Sequence, residues 1–526
     1  MFKPTSPAIR HPRAGGDPET SAALTRLDSR LRGNDDREVH SIVLKLAIVL
    51  VAACAISACG VAKLGPDYQR PVMDVPSSLP APGTAPQVNW LAWWKGFNDP
   101  VLDALLQEAA TNSQDLALAS ARMAEARAIL DQNQSNFYPS VDLNASSTRR
   151  RTSQNASSFN PNVGAFSNDQ QLGLTASYEI DFWGKYARAD EAARARMLGQ
   201  AAARGTVLTT LYANVAQSYF ALRALDEQLV LAEQTFATRQ ENLRLQTRRF
   251  AAGVVGEADL RQAESEALSL QATVQQTRQN RSNAESALAL LLGRKPADIL
   301  YPVLARGAEV ARLYAQQAIP ANLPSDVLMQ RPDIVSAEQA LIAANADIGQ
   351  ARAAYFPKFS LTAGLGQQSQ DMANLFDPAS LFWNLIGNLT APIFRAGAAD
   401  AVVAAANARQ QQAVAQYTQT VQNAFRDVHD ALNNVTAGRE IGTSNAQRIE
   451  ALRNTLRLAD LRYKGGYSSY LEVLNAQRDL SQAQAGLIET QRAQLAATVA
   501  LYKALGGGWD VSAMSGAGTG HCLRCP

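Results

Sequence analysis

Two stretches of this chain repeat each other without a gap, and that duplication restricts the fold before any single motif does. At an offset of 213, RRFAAGVVGEADLRQAE (248–264) lies over LRYKGGYSSYLEVLNAQ (461–477), so that Arg249/Arg462, Phe250/Tyr463, Gly253/Gly466 and Asp259/Glu472 coincide. Upstream, residues 115–139 match 333–357 at an offset of 218. Self-similarity on this scale means that one structural plan is used twice. The expected division is a leader 1–58, a first repeat 59–294, a Pro-containing connector 295–324, a second repeat 325–509 and a tail 510–526.

Within each repeat the hydrophobic period changes in the same order. Val101–Asn136 and Ser325–Ala354 have helical patterns that end before Tyr138-Pro139 and Phe356-Pro357, since a residue preceding proline avoids the helical region. Strict alternation follows. From Leu172 to Phe182 the even positions are apolar and the odd ones are Gly173, Thr175, Ser177, Glu179 and Asp181. The same period of two marks 140–146, with Asp142 on its polar side, 359–366 and 383–393, where Ile386 is the exception. Four strands in two hairpins are expected, linked by Ser-, Asn-, Gln- and Gly-rich loops at 147–170 and 367–380.

Such alternation suits a half-buried soluble sheet or an outer-membrane strand flanked by aromatic residues, here Tyr138, Trp183, Phe356 and Trp383. If the strands lie in lipid, four of them cannot close a barrel, and open edges are not tolerated there. The barrel would then be shared, with two or three copies supplying 8 or 12 strands, and Asp142, Glu179 and Asp181 would face its lumen and favour cations.

Each second strand is followed by a long helical pattern, Tyr186–Phe250 and Ala398–Tyr463. Leu208, Val215, Leu222, Leu229, Phe236, Leu243 and Phe250 recur every seven residues, and at offset 213 the second repeat reads Val421, Val428, Val435, Gly442, Ile449, Leu456 and Tyr463. A seven-residue seam implies coiled-coil packing. Return helices are expected over Asp259–Leu292 and Leu471–Leu505, so each repeat ends in a helical hairpin. Its tip is Gly253, Val254, Val255 and Gly256 in the first repeat and Gly465, Gly466, Tyr467, Ser468, Ser469 and Tyr470 in the second.

Composition excludes most catalytic readings. No cysteine lies between Gly60 and His521, and His429 is the one histidine in that span. Zinc sets and Ser/His or Cys/His constellations therefore have almost nothing to draw on, and no P-loop is present. No cofactor, metal site or enzymatic activity is expected. Residues 1–58 hold eight of the 49 Lys/Arg and six of the 47 Asp/Glu, leaving 41 against 41 in the body, and a neutral body gives no reason to expect nucleic acid.

Leu46–Ser57 is an apolar run too short to span a bilayer and of signal-peptide length. Ile56-Ser57-Ala58-Cys59 resembles a bacterial lipobox, which implies cleavage before Cys59 and lipidation of its thiol; a cysteine merely closing an ordinary signal is the alternative. Residues 1–42 fit no signal peptide, and translation is expected to start near Val43 or Leu44. In the tail, His521, Cys522 and Cys525 are expected to do nothing.

Taken together, CGVAKLGPDYQRP (59–71), WWKGFNDPVLDALLQEA (93–109), YEIDFWGK (178–185), the run 323–357 and ALGGGW (504–509) resemble the TolC-like outer membrane efflux proteins, lipoprotein branch, which serve resistance-nodulation-division pumps. The resemblance implies an α+β membrane protein and a homotrimer. Long coiled-coil hairpins would form a periplasmic α-barrel, and four strands per chain would enter a shared β-barrel in outer membrane lipid. It further implies an exit duct in which a periplasmic adaptor and an inner-membrane pump meet the helical tips.

In that family the second tip also holds the channel closed through a tyrosine and two acidic residues, nine and twelve positions later. Carried over, these are Tyr463, Glu472 and Asn475; the amide at Asn475 departs from the pattern, and an Asn475–Tyr463 hydrogen bond is the expected substitute. Glu472 reads equally as a solvated helix residue. Drugs, metal ions, solvents and secreted polypeptides remain open as cargo. The rival class is a non-channel coiled-coil envelope lipoprotein, which explains the seams but not the matched strands.

Overall fold

The computed structural model describes residues 63–76, 78–82, 89–157, 159–162, 164–315 and 321–510, without the side chains of 79–82 and 321–327. The leader, Cys59 and the cysteines of the tail lie outside the described residues. In chain order the elements are β1 (Ser78–Pro82), α1 (Pro100–Asn112), α2 (Gln114–Gln134), β2 (Ser140–Arg151), β3 (Phe166–Ile180), α3 (Lys185–Ala251), α4 (Glu257–Leu291), α5 (Pro296–Leu300) and α6 (Val310–Ala315). Then follow β4 (Ala321–Pro324), α7 (Pro332–Arg352), β5 (Lys358–Ser369), β6 (Leu381–Thr390), α8 (Ala398–Lys464) and α9 (Tyr470–Ala504).

The two offsets in the sequence are offsets in the structure. The helices α3 and α8 each have 67 residues and the return helices α4 and α9 each have 35, with both ends displaced by 213. The pairs α2/α7 and β2/β5 have 21 and 12 residues and are displaced by 218. At about 1.5 Å per residue, α3 and α8 are each about 100 Å long.

Four strands form one antiparallel sheet in the order β2-β3-β5-β6, and β1 pairs antiparallel with β4 in a separate two-stranded one. Register brings Asp142 opposite Thr175, Glu179 opposite Ser360, and Ser360 opposite Asn388, so a single face is polar across all four strands. The reverse face carries Leu143 opposite Leu174, Leu174 opposite Leu365, and Leu365 opposite Trp383. It is bare: Leu143 is 69% exposed and Trp383 61%. Phe382 belongs to the polar face, where its ring lies over the Gly173–Gly366 pair; a Cβ at Gly366 would stand 3.0 Å from it. No described helix is long and apolar enough to cross a membrane.

Helices pack in the same lateral order. Near the sheet the sequence of neighbours is α2-α3-α7-α8, and toward the tips it is α4-α3-α9-α8. Alanines at 192, 193, 195, 202, 213 and 216 line the buried side of α3 and let neighbouring helices approach closely. The largest core lies midway, where Trp93 stacks on Tyr502 at 5.3 Å and Phe97, Phe220, Leu222, Leu288 and Val499 close around them. There the buried Tyr219 hydroxyl donates to Asp99 at 2.6 Å and accepts the Gly307 amide, tying the connector to α3.

Several expected boundaries are corrected. The helix expected over Val101–Asn136 breaks at Ser113, whose hydroxyl accepts the Leu116 amide and starts α2 afresh. The one expected over Ser325–Ala354 is split into a 3₁₀ turn, Ser325–Gln330, and α7 from Pro332, because Arg331 precedes a proline and has ψ 138°. Strand β2 continues past Ser146 to Arg151, and β3 begins at Phe166, ahead of the expected Leu172. Pairing therefore outlasts the apolar alternation, and the guanidiniums of Arg149 and Arg151 lie 5.5 and 5.6 Å from the Phe166 ring. The loops shrink to 152–165 and 370–380, and β6 stops at Thr390, short of Ile393, as Pro392 has no amide to donate.

Candidate functional site

Both tips are made by the same backbone device. At the end of α3, the Gly253 amide donates to Phe250 O and the Val254 amide to Arg249 O, both at 2.9 Å, with Gly253 at φ +69°. At the end of α8, Gly466 donates to Tyr463 O and Tyr467 to Arg462 O, at 3.0 and 2.8 Å, with Gly466 at φ +77°. This is the Schellman ending, in which glycine takes the left-handed residue at no steric cost.

The side chains then diverge. In the first tip Phe250 is 41% exposed and Val254 70%, with Gly253 and Gly256 exposed and Val255 partly so. In the second, Gly465, Gly466, Tyr467 and Ser469 are exposed and Ser468 partly so, whereas Tyr470 is only 7% exposed. Tyr470 is therefore packing and not docking surface, contrary to the sequence expectation. Its ring lies 5.7 Å from that of Tyr463, and burial pushes its hydroxyl pKa up.

The expected Asn475–Tyr463 bond is not formed: Asn475 is exposed, and the Tyr463 hydroxyl instead accepts from Arg249 and from Gln246 Nε2 at 3.3 Å. The Arg249 guanidinium also lies 5.5 Å from the Tyr463 ring centroid. One heptad above Gln246, Arg239 is 3% exposed and hydrogen-bonds Gln477 of α9; burial pushes its pKa down. Arg239, Gln246 and Arg249 were missed from the sequence. The available signal was polar residues seven apart on α3, beside the apolar seam. Glu472 forms a 3.4 Å ion pair with Arg462, and both side chains are largely in water.

At the opposite end of the helices the carboxylate reading is also corrected. Asp142 and Glu179 do share the polar face, but Glu179 is ion-paired with Lys185 at 3.0 Å. Asp181 lies beyond the end of β3 and accepts the Ala187 amide at 2.9 Å, an anion at the N-terminus of α3. Trp183 donates to Pro357 O at 2.8 Å and its ring lies 4.6 Å from Phe356, so the aromatic residues fasten strand ends to helices. After the expected lipidation site the chain crosses the start of α3, where Arg188 donates to Leu64 O, and lies along α7, where Asn345 donates to Pro66 O and Arg70 is ion-paired with Glu338 at 2.7 Å.

This architecture has relatives. A solvent efflux pump outer membrane protein of Pseudomonas putida, SrpC, is 36% identical over 470 residues, covering 87% of this chain and 98% of that protein. The cation efflux system protein CusC of Escherichia coli O6:H1 is 36% identical over 467 residues, covering 87% and 97%. Among solved structures, the CmeC outer membrane channel of Campylobacter jejuni superposes with a TM-score of 0.79 at 28% identity, covering 85% of this chain and 96% of that one. Residues 105–294 and 323–507 match the outer membrane efflux proteins, and the chain belongs to that family.

Proposed function

We propose that three copies of this outer-membrane efflux protein form a passive exit duct, docked through the helical tips onto a periplasmic adaptor and served by an inner-membrane resistance-nodulation-division pump. The observation that carries the reading is a four-stranded sheet with two unpaired edges, one bare apolar face and one polar face. In lipid such edges must pair. The edges are consistent at every level: β2, α2 and α4 border one side of the protomer, and β6 and α8 the other. Copies placed side by side therefore extend the sheet and the helical wall together, and three copies of four strands make a barrel of twelve.

The first tip presents Phe250 and Val254, and the second presents Tyr467, as apolar surface for the adaptor. The second tip is held against α3 by Tyr463 on Arg249 and Gln246, and we assign that contact the gating role for which sequence had named Tyr463, Glu472 and Asn475. Cys59 is assigned the lipid anchor, since the strap that follows it lies against α7. Purified protein in planar bilayers should give discrete openings. A coiled-coil spacer gives none.

A further inference from the structure

Where the sheet meets the helices, a pocket of about 460 Å³ opens among the first turns of α3 and α8, the end of α7 and the base of β5. Lys185, Arg196, Lys358, Arg395 and Arg409 line it, against the carboxylates Glu179, Asp181 and Asp347. All three carboxylates are engaged: Glu179 by Lys185, Asp347 by Arg196, and Asp181 by the Ala187 amide. The next acid, Asp400, accepts the Tyr355 hydroxyl at 2.6 Å in the adjoining cleft, which Arg395 also borders. Lys358, Arg395 and Arg409 are left without an ion pair of their own among the described residues.

Two observations set the side to which the pocket opens. Glu179 and Lys358 belong to the polar face of the sheet, Glu179 opposite Ser360 and Lys358 opposite Thr390. The strap of residues 64–70 lies on the other side of α7, at Glu338, Asn345 and Gly349, while Asp347, Gln350 and Ala354 line the pocket. A segment leading from a lipid anchor runs outside a duct, so the pocket faces its interior.

We propose that this pocket is an anion-binding station in the lumen, taking solutes that carry a carboxylate, phosphate or sulfonate group; the proposal rests on the exit-duct reading. Five cations against three carboxylates leave each copy's pocket with a net charge of +2, and three copies place six such charges around the passage at its junction with the barrel. Like charges lining a narrow aqueous passage with low-dielectric walls add their fields and concentrate counter-ions. The duct then prefers anions at this level, the reverse of what Glu179 and Asp181 suggest when read alone. An anionic or neutral cargo fits such a collar better than a metal cation.

The test uses the purified full-length protein, with inorganic phosphate as the probe. In planar bilayers under a KCl gradient, the wild type should show a reversal potential on the chloride side, and millimolar phosphate should reduce the current. Lys358→Gln and Arg409→Gln should each weaken phosphate binding by roughly tenfold, measured independently by equilibrium dialysis of labelled phosphate on the detergent-solubilised protein. Their combination with Arg395→Gln should move the reversal potential toward potassium. Absence of phosphate binding to the wild type, or variants indistinguishable from it, overturns the anion station. A bilayer with no openings overturns the duct, while dialysis still reports on the pocket.

Discussion

At positions 213 residues apart, Phe250 and Tyr463 end two helices of equal length over the same backbone turn, yet one ring reaches solvent and the other is tied down. The difference lies in the neighbours and not in the turn. Tyr463 and Tyr470 lean on α3, where Arg239, Gln246 and Arg249 meet them with polar groups. A duplicated hairpin thus kept its geometry while the residue ending its long helix became anchored in one copy and exposed in the other. Buried polar contacts are asymmetric in energy, since losing one partner costs more than the bond contributes. The second tip is accordingly the more sensitive to substitution.

Arg239→Ala should break the contrast most. It strands Gln477 and leaves a gap beside Tyr470, costing about 3 kcal/mol locally, so hydrogen exchange should accelerate in the first turns of α9 and stay unchanged in α4. Equal acceleration in both return helices would erase the distinction between the tips. Tyr463→Phe is the next largest: loss of one acceptor for Arg249 should cost about 1 kcal/mol and raise open probability several-fold in single-channel recordings. Phe250→Ala at the matched position should leave the recordings unchanged and weaken adaptor binding by less than about tenfold, read by surface plasmon resonance. Smallest of all, Glu472→Ala removes an exposed ion pair worth under about 0.5 kcal/mol and should alter neither conductance nor melting temperature.

What could be read from sequence was whatever repeats along one element. Period-two alternation identified both sheet faces, and the offset of 213 located both tips, because a face or a turn is a local property of the chain. Strand ends were less legible: residues 147–151 lose their apolar partners but keep their ladder, since backbone pairing does not require the alternation. Side-chain partners across elements were not legible. Lys185 reaches Glu179 only after the chain turns from β3 into α3, and Arg249 finds Tyr463 from 214 residues away. Counting carboxylates on a strand therefore misjudged the charge they present. Tyr470 was misread for a related reason: its place beside a glycine turn suggested exposure, while the packing of α9 on α3 buries it.

The central claim is that the unpaired edges β2 and β6 are completed by copies of the same chain, and stoichiometry tests it most directly. Native mass spectrometry of the detergent-extracted, full-length protein, with the protomer mass taken under denaturing conditions, should give a single assembly of three copies. A monomer that stays folded and soluble, or a closed assembly of two, would contradict the twelve-stranded duct.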